Sequence, residues 1–445
     1  MGRAGKVAWP TVGPTWGEAT MSRKGLRSTL KLFLAGTLTL TVAARALGQT
    51  SSSPSFIAQQ NAGDAQPTPP APVPSQPPSV SPTPAPIVNA PEQANSAPQS
   101  NPPLESGSLL AYSLASVPDM IGDTLPPGRF NVTLLGTLVS HGASIPIAAG
   151  NAYSKIADDT SPLPTDRVFF DYDYFNHAVQ TANGQAIGLN SYTFGLEKTF
   201  FDGWCSVEVT APIESGLASN QSLVGTTADN QGTCYGDMTV TFKCLVYRSC
   251  SFAVCAGMMV DLPTAPNGSF NAYGTSLTLD NNSVHVAPFM GFAYAPCCSN
   301  FFALGFVQAD VDCNGDPLYS NAYIGTDPQI GRFRDPSLLY VDLSTGYWLF
   351  REDQECCGRY LTGIAPTVEL HYTTNLQGNH GYTDGLFDTI TPVYGGIDCL
   401  NLTGGVHFQL GPCSMLTVAA AVPLRDSQRD REFDSELTAQ FDRRF

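Results

Sequence analysis

The sequence predicts an all-β chain: an antiparallel transmembrane β-barrel of about twelve strands, with short periplasmic turns and long external loops, preceded by a disordered Pro-rich linker. Three observations predict it. From Asp166 onward, apolar and polar residues alternate with period two in about twelve segments of about 9 to 14 residues, near the roughly 10 that a tilted strand needs to cross a bilayer. Short and long connections between these segments alternate along the chain. Only 13% of residues are charged, about half of the roughly 25% usual in soluble proteins, yet no stretch reaches the roughly 20 apolar residues of a membrane helix. A membrane position therefore requires strands.

Taken in order, residues 1–48 read as a signal peptide, with Met21 as an alternative start. In MSRKGLRSTLKLFLAGTLTLTVAARALGQT, Arg23, Lys24, Arg27 and Lys31 form a basic region and Leu32 to Val42 an apolar core. Ala46, Leu47 and Gly48 then offer a cleavage site. Residues 49–103 are dominated by Pro, Ser, Ala, Gln and Thr, cannot form a core, and read as an extended tether, with a cell-wall component as a candidate partner. Residues 104–165 carry an apolar stripe of Leu109, Leu110, Leu114, Val117 and Ile121, then the strand-like VTLLGTLVS. This piece is expected as a plug or as a cover over the periplasmic mouth.

The barrel is expected over 166–445, its segments starting near Asp166, Leu189, Trp204, Tyr235, Ser251, Val284, Phe301, Leu338, Tyr360, Leu402, Ser414 and Asp434. In YTFGLEKTF, Tyr192, Phe194, Leu196 and Phe200 share the lipid face while Thr193, Gly195, Glu197 and Thr199 share the interior. Turns such as Phe201-Asp202-Gly203 and Gly411-Pro412-Cys413 alternate with loops such as CNGDPLYSNAYIGTDPQIGRFRD. A soluble sandwich has no reason to sort its loops this way, whereas outer-membrane barrels do. Aromatics near segment ends, Phe169, Phe170, Tyr172, Tyr174, Phe200, Phe201, Trp204, Tyr347, Trp348 and Phe350, are expected in interfacial girdles.

The stretch CYGDMTVTFKCLVYRS followed by CAGMMVDLPTA resembles the MetA-pathway of phenol degradation family of outer-membrane proteins, through Gly236, Asp237, Lys243, Leu262, Pro263 and Thr264. The resemblance covers roughly 160–445 and implies a barrel channel, in a family sometimes linked to uptake of aromatic or hydrophobic compounds.

With the apolar face toward lipid, Glu197 and Glu208 flank a tight turn and Lys243 lies at similar height one strand on. A Glu197–Lys243–Glu208 cluster follows, readable as a selective constriction, an acid pair for hydrolysis, or an ion network that locks register. A lysine between two acids keeps both ionised, which suits a network better than an acid catalyst. Asp171, Asp173, Asp342, Glu369, His285, His371 and His407 are further interior candidates. The histidines lack ligand spacing, so neither metal nor cofactor is expected. The only nearby His/Ser pair, His141 and Ser144, precedes the barrel, and no triad emerges, so no enzyme is expected.

All twelve cysteines lie in the barrel region. Cys250, Cys297, Cys298, Cys356, Cys357 and Cys413 fall at the short turns and are disulfide candidates on one rim, whereas Cys205 and Cys244 share the lipid face and read as small apolar residues. The last strand ends in Phe441 and Phe445, an alternating pattern resembling the signal read by the barrel assembly machinery, with Arg443 departing from it. A net charge of −16 argues against a nucleic-acid partner. Together these readings predict a channel or transporter for small solutes, in contact with lipid of the outer membrane of a Gram-negative-type bacterium. The alternative is a structural envelope protein with a plugged barrel.

Overall fold

The computed structural model describes residues 114, 116–124, 129–133 and 144–146, and 153–445 apart from 181–185, 217–219, 223–231, 273–274, 298, 322–327, 353–359, 378–380, 384–388, 393–396 and 426–430. The signal peptide and Pro-rich linker expected from the sequence lie outside the described residues. Twelve strands form the wall: β1 Arg167–Gln180, β2 Ala186–Phe200, β3 Cys205–Ser215, β4 Met238–Arg248, β5 Phe252–Leu262, β6 His285–Tyr294, β7 Phe301–Asp312, β8 Ser337–Tyr347, β9 Leu361–Gln377, β10 Asp398–Leu410, β11 Ser414–Pro423 and β12 Ser435–Arg444. Each starts within four residues of its expected position, the largest difference being Asp398 against Leu402.

Every wall strand pairs antiparallel with its sequence neighbours, and β12 pairs with β1 in the register Phe441↔Phe170 and Arg444↔Arg167. The wall is closed. Closure leaves no strand edge in hydrocarbon, where each unpaired N–H or C=O would cost several kcal/mol. Period-two alternation then sorts the side chains. Phe194, Leu196, Met290, Val307, Leu343, Val368, Val418 and Leu437 point outward and are exposed, while polar partners on the same strands point inward. Phe200, Phe201, Trp204, Tyr247, Tyr294, Phe301, Tyr347, Phe350 and Tyr360, all exposed at the short-turn end, form an aromatic girdle there. These are the features of an outer-membrane barrel.

Two expected girdle members face elsewhere. Phe169 has the inward parity of Arg167 and Asp171 and is 6% exposed; Trp348 is buried in the turn after β8. Phe169 can lie across the neighbouring strand because Gly195 is opposite, where a Cβ would fall 1.9 Å from the ring. The tight turn after β2 places Phe201, Asp202 and Gly203 at φ of 54°, 55° and 76°. This left-handed path is cheap at Gly203 and costs about 1–2 kcal/mol per residue elsewhere.

Connection lengths do not divide cleanly between the two ends: residues 348–360 join β8 to β9 at the short-turn end, and residues 424–434 join β11 to β12 at the other. β1 and β2 are joined at the long-loop end by residues 181–185 alone, because these strands, 14 and 15 residues long, spend as a paired hairpin the length other connections spend as loop. The long loops also contain strands. Asn220–Ser222, Gly268–Ala272, Thr275–Leu279, Asp316–Ser320 and Gln329–Phe333 make a five-stranded sheet. A four-stranded sheet joins Tyr382–Thr383 and Thr389–Pro392 to Arg129–Thr133 and Ser144–Pro146 from the region before the barrel. Phe270, Leu277, Leu279, Leu318 and Phe333 pack with Val132 and Ile390 into one core above the wall.

Residues 114, 116–124 and 153–165 lie inside the wall as two arms, joined by an antiparallel bridge between Met120 and Thr160. Between them the chain reaches the long-loop end, where Arg129–Thr133 pairs with Thr389–Pro392. We call these arms the inner segment. Its apolar side, Leu114, Val117, Met120, Ile156, Ala157 and Leu163, packs on inward Leu245, Ala253, Phe289, Phe302, Leu304 and Phe306.

At the seam, the Phe445 N–H donates to the Asp166 carbonyl at 3.1 Å and the Lys198 ammonium lies over the Phe445 ring at 5.6 Å. Lys198 and Thr199 also donate to the Asp166 carboxylate, which these bonds hold down at about 2. Deleting Phe445 removes the ring and the last seam hydrogen bond. The expected result is a smaller folded fraction, read on gels as loss of the band that shifts on boiling, without altered migration of the barrels that do fold.

Candidate functional site

The inward parity of β1 to β3 places Arg167, Glu197 and Glu208 in one row, because Arg167 is the register partner of Glu197 and Glu197 of Glu208. Lys243 on β4 completes the cluster expected from the sequence, its Nζ 3.0 Å from Glu197 Oε1. The centre of that cluster, however, is Arg167. Its Nε lies 3.1 Å from Glu197 Oε2, Nη2 3.0 Å from Glu208 Oε2, and Nη1 2.8 Å from Asp442 Oδ1 on β12. Both arms of the inner segment reach the same Nη1, with Asp159 Oδ2 at 3.1 Å and Asp119 Oδ2 at 3.5 Å. A planar guanidinium with five N–H donors can serve several carboxylates at once, which a lysine ammonium on its flexible stem cannot do in fixed geometry. Phe169 lies beneath the guanidinium at 4.1 Å, adding a cation–π contact. Lys243 also donates to the Ser161 carbonyl at 2.7 Å, and Arg444 pairs with Asp119 at 2.8 Å.

A second group sits nearer the long-loop end. Lys155 of the inner segment pairs with Asp123 and, at 3.3 Å, with Asp342 of β8. His371 of β9 lies 2.9 Å from Asp342 and 3.3 Å from both Asp123 and Glu369. Glu369 accepts the N–H groups of Ile121 and Gly122, the latter at 2.9 Å, and Asn401 donates to Asp123 at 2.7 Å. Gln308 accepts from the Ile156 N–H at 2.6 Å and donates to the Ser154 carbonyl at 3.0 Å; Gln440 donates to the Ile121 carbonyl at 2.7 Å. The arms therefore carry little regular structure of their own, and wall side chains take over the pairing of their backbone groups.

Of the sequence-based candidates, Glu197, Glu208 and Lys243 come together around Arg167, and Glu369 joins His371 and Asp342 in the second group. Asp171 and Asp173 are inward and buried on β1, but among the described residues Arg167 makes no ion pair with either. His407 bonds Thr417 within the wall at 2.8 Å. The sequence reading missed Arg167, Asp442 and Arg444, although parity along β1 and β12 puts all three inside. Asp119, Asp123, Lys155 and Asp159 had no such signal, because their segment has no strand period.

Cys205 and Cys244 are more than small apolar residues. They are register partners across β3 and β4 and form a disulfide. Of the rim candidates, Cys250, Cys297 and Cys413 lie at or beside the short turns, and Cys298, Cys356 and Cys357 lie outside the described residues.

No family model matches the chain, nor does any curated protein. Among solved structures, an outer membrane channel from Pseudomonas putida F1 is similar at 11% identity, over 64% of this chain and 97% of that one, with a TM-score of 0.39. NanC porin is similar at 8% identity over 63% and 98%, with a TM-score of 0.33, and KdgM porin at 7% over 62% and 99%, with a TM-score of 0.30.

Replacing Arg167 by Met strands its buried carboxylates. Breaking a buried pair by removing one partner costs about 3–5 kcal/mol, and that loss is expected in urea unfolding followed by tryptophan fluorescence. Arg167→Lys should recover only part of it.

Proposed function

We propose that the chain is an outer-membrane channel or transporter for small solutes, closed by its own inner segment in the state described here. The observation that carries this reading is how the segment is held. Many of its contacts with the wall run from side chains to backbone groups, as with Glu369, Gln308, Gln440 and Lys243. Water can replace such bonds when the segment leaves, at little net cost per bond. A lumen vacated in this way would be lined by Glu197, Glu208, Asp171, Asp173 and Glu369 on one side and by Phe289, Phe302 and Phe306 on another. That surface suits cationic or amphipathic solutes, and the expected preference for aromatic compounds rests on the family resemblance alone. Glu197 and Glu208 both bind the Arg167 guanidinium, an arrangement that favours a binding or network role over acid catalysis.

The second reading is a structural envelope protein, and one observation favours it. The inward polar side chains are almost fully buried, Gln308 at 0% and Lys243 at 1%, so the barrel is packed like a core.

Planar-bilayer recordings separate the two. Glu369→Ala, which frees the Ile121 and Gly122 N–H groups, is expected to raise the frequency of opening, and deletion of residues 104–165 to give sustained step-like current. Silence from the wild type and both variants, with folding verified, would contradict the channel reading. Glu208→Ala is expected to lower the preference for cations over anions. Unchanged selectivity with reduced thermal stability would assign the cluster to structure alone.

A further inference from the structure

At the long-loop end, the start of β6, the end of β7 and the loop before β8 bring acids together around one imidazole. His285 opens β6 and is the register partner of Asp312. Its Nδ1 lies 3.0 Å from Asp310 Oδ1, so a proton on Nδ1 satisfies that pair and leaves a lone pair on Nε2. Nε2 is buried, makes no hydrogen bond, and lies 3.7 Å from Asp335 Oδ2, beyond hydrogen-bond reach. Asp335 Oδ1 is likewise buried without a partner. One ligand atom from each of His285, Asp312 and Asp335 falls within 4.8 Å of the others.

The surrounding loops hold this geometry. Asp312 Oδ1 accepts from the Asn314 and Gly315 N–H groups and from the Ser283 hydroxyl, while Asp312 Oδ2 accepts the Asp335 N–H at 3.0 Å. Asp316 Oδ1 accepts the N–H groups of Asn282 and Ser283. A buried imidazole lone pair facing carboxylate oxygens is repelled unless a proton or a metal cation lies between them, and the 3.7 Å gap is too wide for a proton to bridge as a hydrogen bond. An imidazole whose far nitrogen donates to a carboxylate is how metal-bound histidines are commonly oriented.

We propose that His285, Asp312 and Asp335 bind a divalent cation that accepts imidazole nitrogen together with carboxylate oxygen, of the class of Zn²⁺ or Mn²⁺, with Asp310 positioning the ring from behind. The cation ties the loop between β7 and β8 to the wall. No ligand spacing was visible in the sequence because the three groups come from separate segments that meet only through strand register and loop return.

The test uses the full-length protein folded in detergent, stripped with EDTA and titrated calorimetrically with ZnCl₂, MnCl₂ and, for comparison, CaCl₂. One saturable equivalent of Zn²⁺ or Mn²⁺ is expected, lost in His285→Gln and Asp335→Asn and weakened about 10- to 100-fold in Asp310→Asn. Folding of each variant is checked by the shift on boiling, and Asp335→Asn, outside the wall, decides if His285→Gln does not fold. Absence of saturable binding, binding of Ca²⁺ alone, or unchanged affinity in folded Asp335→Asn would overturn the proposal.

Discussion

The Arg167 guanidinium sits where the first strand, the last strand and both arms of the inner segment meet. It links β1 to β2 and β3 through Glu197 and Glu208, to β12 through Asp442, and to the arms through Asp119 and Asp159. One cation therefore bridges the closing seam of the barrel and the contents of its lumen. Charges this deeply buried pay a desolvation cost of several kcal/mol each, recovered only when geometry and hydrogen bonding are nearly complete. That condition couples the parts: the wall must close in one register to form the site, and the inner segment must be in place to complete it.

The inside of this barrel thus obeys different rules from its outside. Outward, the wall needs only apolar side chains and paired backbone, and Leu, Val and Phe all serve at exposed outward positions. Inward, a polar surface without bulk water must be satisfied by protein groups. The inner segment supplies both polar partners, through its backbone and through Asp123 and Lys155, and apolar ones, through Val117, Met120 and Ile156. The same features suit a plug that must leave and return, since ion pairs and side-chain-to-backbone bonds have equivalents in water, whereas the apolar strip sets a threshold against spontaneous release.

Legibility from sequence followed periodicity. The wall was readable because each strand repeats a two-residue rule against lipid, and the Glu197–Glu208 pairing followed from counting back from a tight turn. Arg167 has the same parity signal but is the first residue of its strand, where a lone basic residue looks like a flank. The inner segment obeys no period because its backbone is satisfied by distant wall side chains, and the loop sheets escaped notice because their strands are short and interrupted by polar turns. The Cys205–Cys244 bond depends on register between two strands, which the parity that puts both on the lipid face does not by itself supply.

The central claim is that the inner segment is an integral part of the folded lumen, fixed by buried pairs to the wall. Hydrogen–deuterium exchange of the protein in lipid tests it most directly, through peptides covering 114–124 and 153–165. Bonds such as those from the Ile121 and Gly122 N–H groups to Glu369 predict protection over hours, comparable with that of the wall strands. Exchange of those peptides within seconds, with the wall still protected, would contradict the account.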